Sequence, residues 1–187
     1  AERDISLLSG RALFESLSPH FTTKLIDLTK RELPSGISAN SDIIFPIIHG
    51  EFGEDGELQA LLDTEGIEYC GSGSDASRLC MHKFKAKKRV SGNGVRVPGG
   101  IEFHNPSELI TSEIISGLGN DLIIKPTDQG SSVSLFLVSG EDELTQTLSQ
   151  LRPGSWLLEE RVFGREVTIG ILEEHPLGIV EVIPVGG

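Results

Sequence analysis

Lys125 stands at the end of the apolar run Asp121-Leu122-Ile123-Ile124, and the turn Thr127-Asp128-Gln129-Gly130-Ser131-Ser132 follows it. A fixed cation beside a turn rich in hydroxyl and backbone N–H donors suits phosphate oxygens or a carboxylate. The same stretch also reads as a solvated hairpin with a lysine at its mouth, because short motifs produce many chance matches. His49 directly follows another apolar run, with the Gly- and acid-rich loop Glu51-Phe52-Gly53-Glu54-Asp55-Gly56 behind it. Lys83 follows the apolar Leu79-Cys80-Met81. That separates it from Lys85, Lys87, Lys88 and Arg89, which read as a solubilising helix face.

These residues need elements to hold them. Leu7, Leu8, Ala12, Leu13 and Leu17 fall at helical spacing over residues 6–17. TTKLIDL (22–28) and DIIFPII (42–48) are strand candidates, and the Pro34- and Gly36-bearing stretch between them is a loop. A helix is expected over 57–63 with Gly66 as its C-terminal cap. A short strand at 67–70 comes next, then one helix from Ser74 or Asp75 to about Val90. Helices alternating with strands argue for a doubly wound parallel sheet, whose ligands bind beyond the carboxyl ends of the strands, where His49 and Gly71-Ser72-Gly73 fall.

Val97-Pro98-Gly99-Gly100 reads as the boundary between two domains, 1–97 and 98–187, and beyond it the pattern turns antiparallel. Asn105 or Ser107 caps a helix through Ile115. The hairpin 121–138 follows, then a helix over 140–151, a strand over 155–162 and a second hairpin over 165–183. The fold class is therefore an α/β doubly wound domain followed by an α+β domain with an antiparallel sheet.

The composition is ordinary for a globular chain: 187 residues, 37% hydrophobic and 24% charged. A net charge of −12 repels nucleic acid and anionic membrane, so neither is expected as a partner. It also means that a nucleotide site needs a local patch of lysine or arginine. Cys70 and Cys80 have neither metal-ligand spacing nor a disulfide framework, which fits a reduced cytoplasmic setting. No run is long enough to cross a bilayer.

Five stretches, taken in order, resemble the D-alanine–D-alanine ligases, ATP-grasp enzymes of peptidoglycan synthesis. They are AERDISL with Ser9-Gly10; His49-Gly50 with Gly53-Glu54-Asp55-Gly56; Gly71-Ser72-Gly73 through Met81 and Lys83; Ile124-Lys125-Pro126 with Gly130-Ser131-Ser132-Val133; and Leu158-Glu159-Glu160 with Gly164-Arg165-Glu166. The resemblance implies that ATP activates one D-alanine as an acyl phosphate, which the amine of a second displaces. It implies that Glu2 pairs with the first ammonium and that Ser131 orients that network. His49 and Glu54 would then flank the first substrate. Lys83 and Lys125 would contact the ATP phosphates, with the Gly130-Ser131-Ser132 loop closing over them. Glu159, Glu160 and Val162 would line the adenine, and Glu166 would accept from the ribose hydroxyls. Magnesium (or manganese) and a homodimer are also implied.

Three positions depart from the family pattern. His82 stands where Asp usually precedes the lysine, Ser134 where Gly usually follows Gly-Ser-Ser-Val, and Glu160 where Lys is often found. If position 134 needs an unusual backbone angle, serine there costs stability or loop mobility. Both ends look cut. The metal ligands are expected beyond Gly187, and the chain as it stands is expected to be inactive. The alternatives are a D-alanine–D-lactate or D-alanine–D-serine ligase, another ATP-grasp carboxylate–amine ligase, and a non-catalytic nucleotide-binding relative.

Overall fold

The computed structural model describes residues 2–130 and 134–183. The first helix, α1 (Glu2–Leu17), begins earlier than its apolar spacing suggests, with Glu2 and Asp4 in its first turn where the helix dipole favours negative charge. Residues 22–28 form no strand and have no ladder partner. The run 42–48 contributes only β1 (Ile43–Ile44), and Pro46, which has no N–H to donate, follows it closely. Next come α2 (Glu57–Glu65) and β2 (Glu68–Tyr69), which pairs in parallel with β1. Gly66 caps α2 in the left-handed conformation, as its position after the last apolar residue predicts. Phe52, Leu58, Leu62 and Ile67 form the buried core of this half.

The helix expected over 74–90 is two helices. α3 (Ser74–Met81) and α4 (Lys83–Ser91) meet at His82, whose φ of −85° and ψ of 93° are extended. The N-cap of α3 is Gly73, without a side-chain cap bond, rather than Ser74 or Asp75.

The second half is built on a four-stranded antiparallel sheet. Its strands are β3 (Gly100–Phe103), β4 (Asp121–Pro126), β5 (Phe136–Ser139) and β6 (Trp156–Glu160), in the order β3-β6-β4-β5. The boundary segment is tied into it, because Glu160 N–H donates to Gly99 O at 2.9 Å. The capping residue Asn105 serves a short 3-10 turn (Pro106–Glu108), and the helix proper is α5 (Thr111–Leu118). With α6 (Glu141–Gln150), α5 covers one face of the sheet. Leu122, Ile124, Leu144 and Leu158 are fully buried there. Burying each contributes about 1.5–3 kcal/mol.

Side chains alternate across a strand, so this packing sends Ile123, Lys125, Leu157 and Glu159 to the opposite face. The register places Gly100 opposite Glu159 and Glu102 opposite Leu157 on that same face. The last hairpin pairs β7 (Glu166–Leu172) with β8 (His175–Val182) through a turn at Glu173 and Glu174, both at positive φ.

Candidate functional site

The sheet face that carries Lys125 and Glu159 meets α4. Lys83 and Lys87 are one turn apart on that helix and so share a side. The Glu159 carboxylate is 6% exposed and sits between two ammonium groups, Lys87 on Oε2 and Lys125 on Oε1. Lys87 was expected to be a solvated surface lysine. Its side chain is 17% exposed, because β6 brings a buried carboxylate under the helix that only an ion pair can satisfy. Its four-residue spacing from Lys83 was the signal available in sequence.

Lys83 opens α4 and joins it to the loop after β4. Its backbone N–H donates to Thr127 O at 2.8 Å, and its ammonium donates to Gln129 O. Thr127 is fully buried and donates its own N–H to Ser155 O at 3.1 Å, which fixes the start of the loop. Burial holds the Lys83 ammonium below the ordinary lysine pKa, and the charge of Lys125 adds to the effect; Asp128 and Glu159 oppose it. The two lysines expected at the phosphates therefore feel one another. An anion placed between them would relieve that repulsion.

His82 takes the place of the Asp that the resemblance leads one to expect. Its Nδ1 accepts from Lys85 N–H at 3.4 Å and its Nε2 lies 3.2 Å from Glu102 Oε1. It is thus the N-cap that starts α4 at Lys83 and a tie from α4 to β3. Glu160 turns the other way, and its carboxylate accepts from Gly99 N–H at 3.0 Å. Val162 is exposed just beyond β6, and Glu166 opens β7 in an exposed position.

A second cluster gathers around Gly50. His49 has Nε2 within hydrogen-bond distance of Ser9 Oγ at 3.3 Å, and its Nδ1 faces Glu54 Oε1 at 3.7 Å. Its backbone N–H donates to Ser6 Oγ at 3.0 Å, and Gly50 N–H donates to Glu54 Oε2 at 2.6 Å. Glu2 lies directly over Gly50: a Cβ at position 50 would fall 1.9 Å from Glu2 Oε2. A Cβ on Gly130 would come 3.7 Å from Glu2 Oε1, so the same carboxylate also borders the loop after β4. A cavity of about 720 Å³ runs between the two clusters, lined by Glu2, Ser6, His49 and Gly50 on one side and by Asp128, Gln129 and Gly130 on the other.

The structure therefore brings Glu2, His49 and Gly130 to one cavity, with Glu54 beside His49 but outside the cavity lining, and Lys83 anchored to the loop that borders it. Lys125 and Glu159 form the adjoining charged face. Ser131 and Ser132 lie outside the described residues. Gln129, whose carbonyl holds Lys83, and Asp128 were not singled out in the sequence. Ser134 has φ +56°, the left-handed region, which gives a physical reason for glycine at that position.

Residues 31–72 match the family described as "D-ala D-ala ligase N-terminus", and residues 101–186 match "D-ala D-ala ligase C-terminus". The D-alanine–D-alanine ligase of Bordetella petrii is 34% identical over 100% of this chain, and that of Geobacter sulfurreducens is 35% identical over 99%. The chain spans 59% of the length of each of these relatives. Among solved structures, a D-alanine–D-alanine ligase from Bacillus anthracis superimposes with a TM-score of 0.83 at 28% identity, over 97% of this chain and 60% of that one. The Bacillus anthracis enzyme complexed with ATP gives 0.69 at 30% identity, over 78% and 49%. A D-Ala:D-Ser ligase, VanG of Enterococcus faecalis, gives 0.62 at 32% identity, over 75% and 41%.

A parallel-stranded α/β unit, then an antiparallel sheet and hairpin, with Lys125 on the sheet face and Lys83 and Lys87 on the helix that meets it, is the ATP-grasp arrangement. Within that class the chain belongs to the D-alanine–D-alanine ligase family.

Proposed function

We propose that the protein joins two D-alanines to D-alanyl-D-alanine with ATP, in the cytoplasm, for peptidoglycan precursor synthesis. The observation that carries this reading is the shared cavity. It sets the Glu2–His49 cluster against the loop that anchors Lys83, beside the face bearing Lys125. A zwitterionic amino acid needs a carboxylate for its ammonium, and a triphosphate needs cations, and both lie within one reach.

In the reaction, the carboxylate of the first D-alanine takes the γ-phosphoryl group and ADP leaves. The amine of the second D-alanine then attacks the acyl carbon, and phosphate departs with the bonding pair. Glu2 pairs with the first ammonium, and His49, held by Ser9 and facing Glu54, orients the substrate beside it. Lys83 and Lys125 hold the triphosphate as point charges. Gly130, with Ser131 and Ser132, covers the phosphates and excludes the water that would waste the acyl phosphate. Glu159, Glu160 and Val162 border the adenine, and Glu166 accepts from the ribose.

Magnesium or manganese enters this reading as the ion that accompanies the ATP phosphates. Among the described residues no group of three or more His, Cys, Asp or Glu is placed to hold a metal. The domain division at 97/98 and a homodimer belong to the same proposal. Among the described residues no helix is long and apolar enough to cross a membrane. The likeness to a D-Ala:D-Ser ligase favours one alternative, in which the second substrate is D-serine.

The test is phosphate release by the full-length protein with ATP, magnesium and D-alanine as the sole amino acid. Release supports the proposal, release only with added D-serine supports the alternative, and none with either refutes both. Glu2→Gln is expected to raise the D-alanine requirement more than the ATP requirement; the reverse order would refute the assignment of the pocket.

A further inference from the structure

Lys125 faces a difficulty in the proposed role. Its ammonium is committed to Glu159, a carboxylate that is 6% exposed. Turning Lys125 toward a phosphate takes one of two counter-charges from that carboxylate, and a buried charge left with none is strongly destabilising. The groups that face Glu159 are Lys87 and Lys83 from α4 and Lys125 from β4, with Asp128 acting on Lys83 from the loop. Its cross-strand neighbours, Gly100 and Ile123, are uncharged, and Glu102 on the same face is engaged with His82.

We infer that Lys87 is a positioning residue that holds the Glu159 carboxylate when Lys125 turns to the nucleotide phosphates. Two lysines share one carboxylate, so one of them can leave without stranding it. The inference rests on the ATP reading above and gives it a source for the mobile cation.

Without Lys87, nucleotide binding must be coupled to protonation. When Lys125 leaves, Glu159 takes a proton from solvent rather than remain charged and buried. Affinity then falls as pH rises, because the complex binds one proton more than the free protein.

Calorimetry with ATP, in buffers of different ionisation enthalpy and over about pH 6 to 8, reads this directly. Lys87→Met is expected to weaken ATP binding by about ten- to hundredfold at the upper end of that range. It should also take up about one proton more per ATP than the wild-type protein. Lys87→Arg, which keeps the charge, should return the wild-type proton count. The double variant Lys87→Met, Glu159→Gln should lose the extra uptake, and it serves where the single variant fails to fold. A Lys87→Met protein with wild-type affinity and proton count would overturn the inference while leaving the ATP reading intact. So would extra uptake that persists in the double variant. A wild-type protein that binds no ATP would instead overturn the ATP reading, and this inference with it.

Discussion

Replacing Gly50 by alanine tests the carboxylate pocket where the backbone leaves least room. The new Cβ would sit 1.9 Å from Glu2 Oε2 and 2.9 Å from Glu2 Cδ. Ordinary contact needs about 3.5 Å, so the carboxylate must retreat by roughly 1.5 Å. Gly50 also has φ +81°, where alanine costs about 1–2 kcal/mol. In a chain of this size that lowers Tm by about 2–8 °C. Gly66→Ala is the control: its φ is +66°, and nothing lies within 4 Å of its Cβ. It carries the same backbone strain without touching Glu2. Both variants should lose similar Tm. Only Gly50→Ala should raise the D-alanine concentration needed for phosphate release, by about tenfold or more, since a displacement of ångström size in a positioning group can cost about 100-fold. The ATP requirement should change little. Wild-type D-alanine dependence in Gly50→Ala, or the same defect in Gly66→Ala, would refute the placement of the pocket.

Lys125→Ala is expected to raise the ATP requirement several-fold or more with little loss of Tm, because Lys87 stays on the Glu159 carboxylate; unchanged ATP titration would refute the role of Lys125. Lys83 releases its proton below the ordinary lysine range in the folded protein, while the unfolded chain holds it up to the ordinary value. Stability should therefore rise with pH across that window, and ATP affinity should fall across it as the ammonium is lost. Lys83→Arg, which stays charged, should move the loss of affinity to higher pH in a binding titration. Ser134→Gly removes a left-handed serine at φ +56° and should stabilise the fold by about 1 kcal/mol in thermal unfolding; a destabilised variant would show that the serine side chain is held by something stronger than the strain.

Local pattern alone determined several parts of this protein. The β4 run with its terminal lysine, the Gly66 cap and the β7–β8 hairpin are each specified by residues close together in the chain, and so is the apolar face under α5 and α6. The five ordered motifs that carry the family resemblance are legible for the same reason. Tertiary structure decided the rest. Residues 22–28 have strand-like composition but no neighbour to pair with, and a strand exists only through a partner. The break at His82 carries no Gly or Pro signal; it follows from the His82–Glu102 contact and from the Lys83 bond to Thr127. Lys87 looked like any surface lysine until β6 placed a buried carboxylate beneath it, and burial belongs to the assembled sheet rather than to the helix that bears the residue.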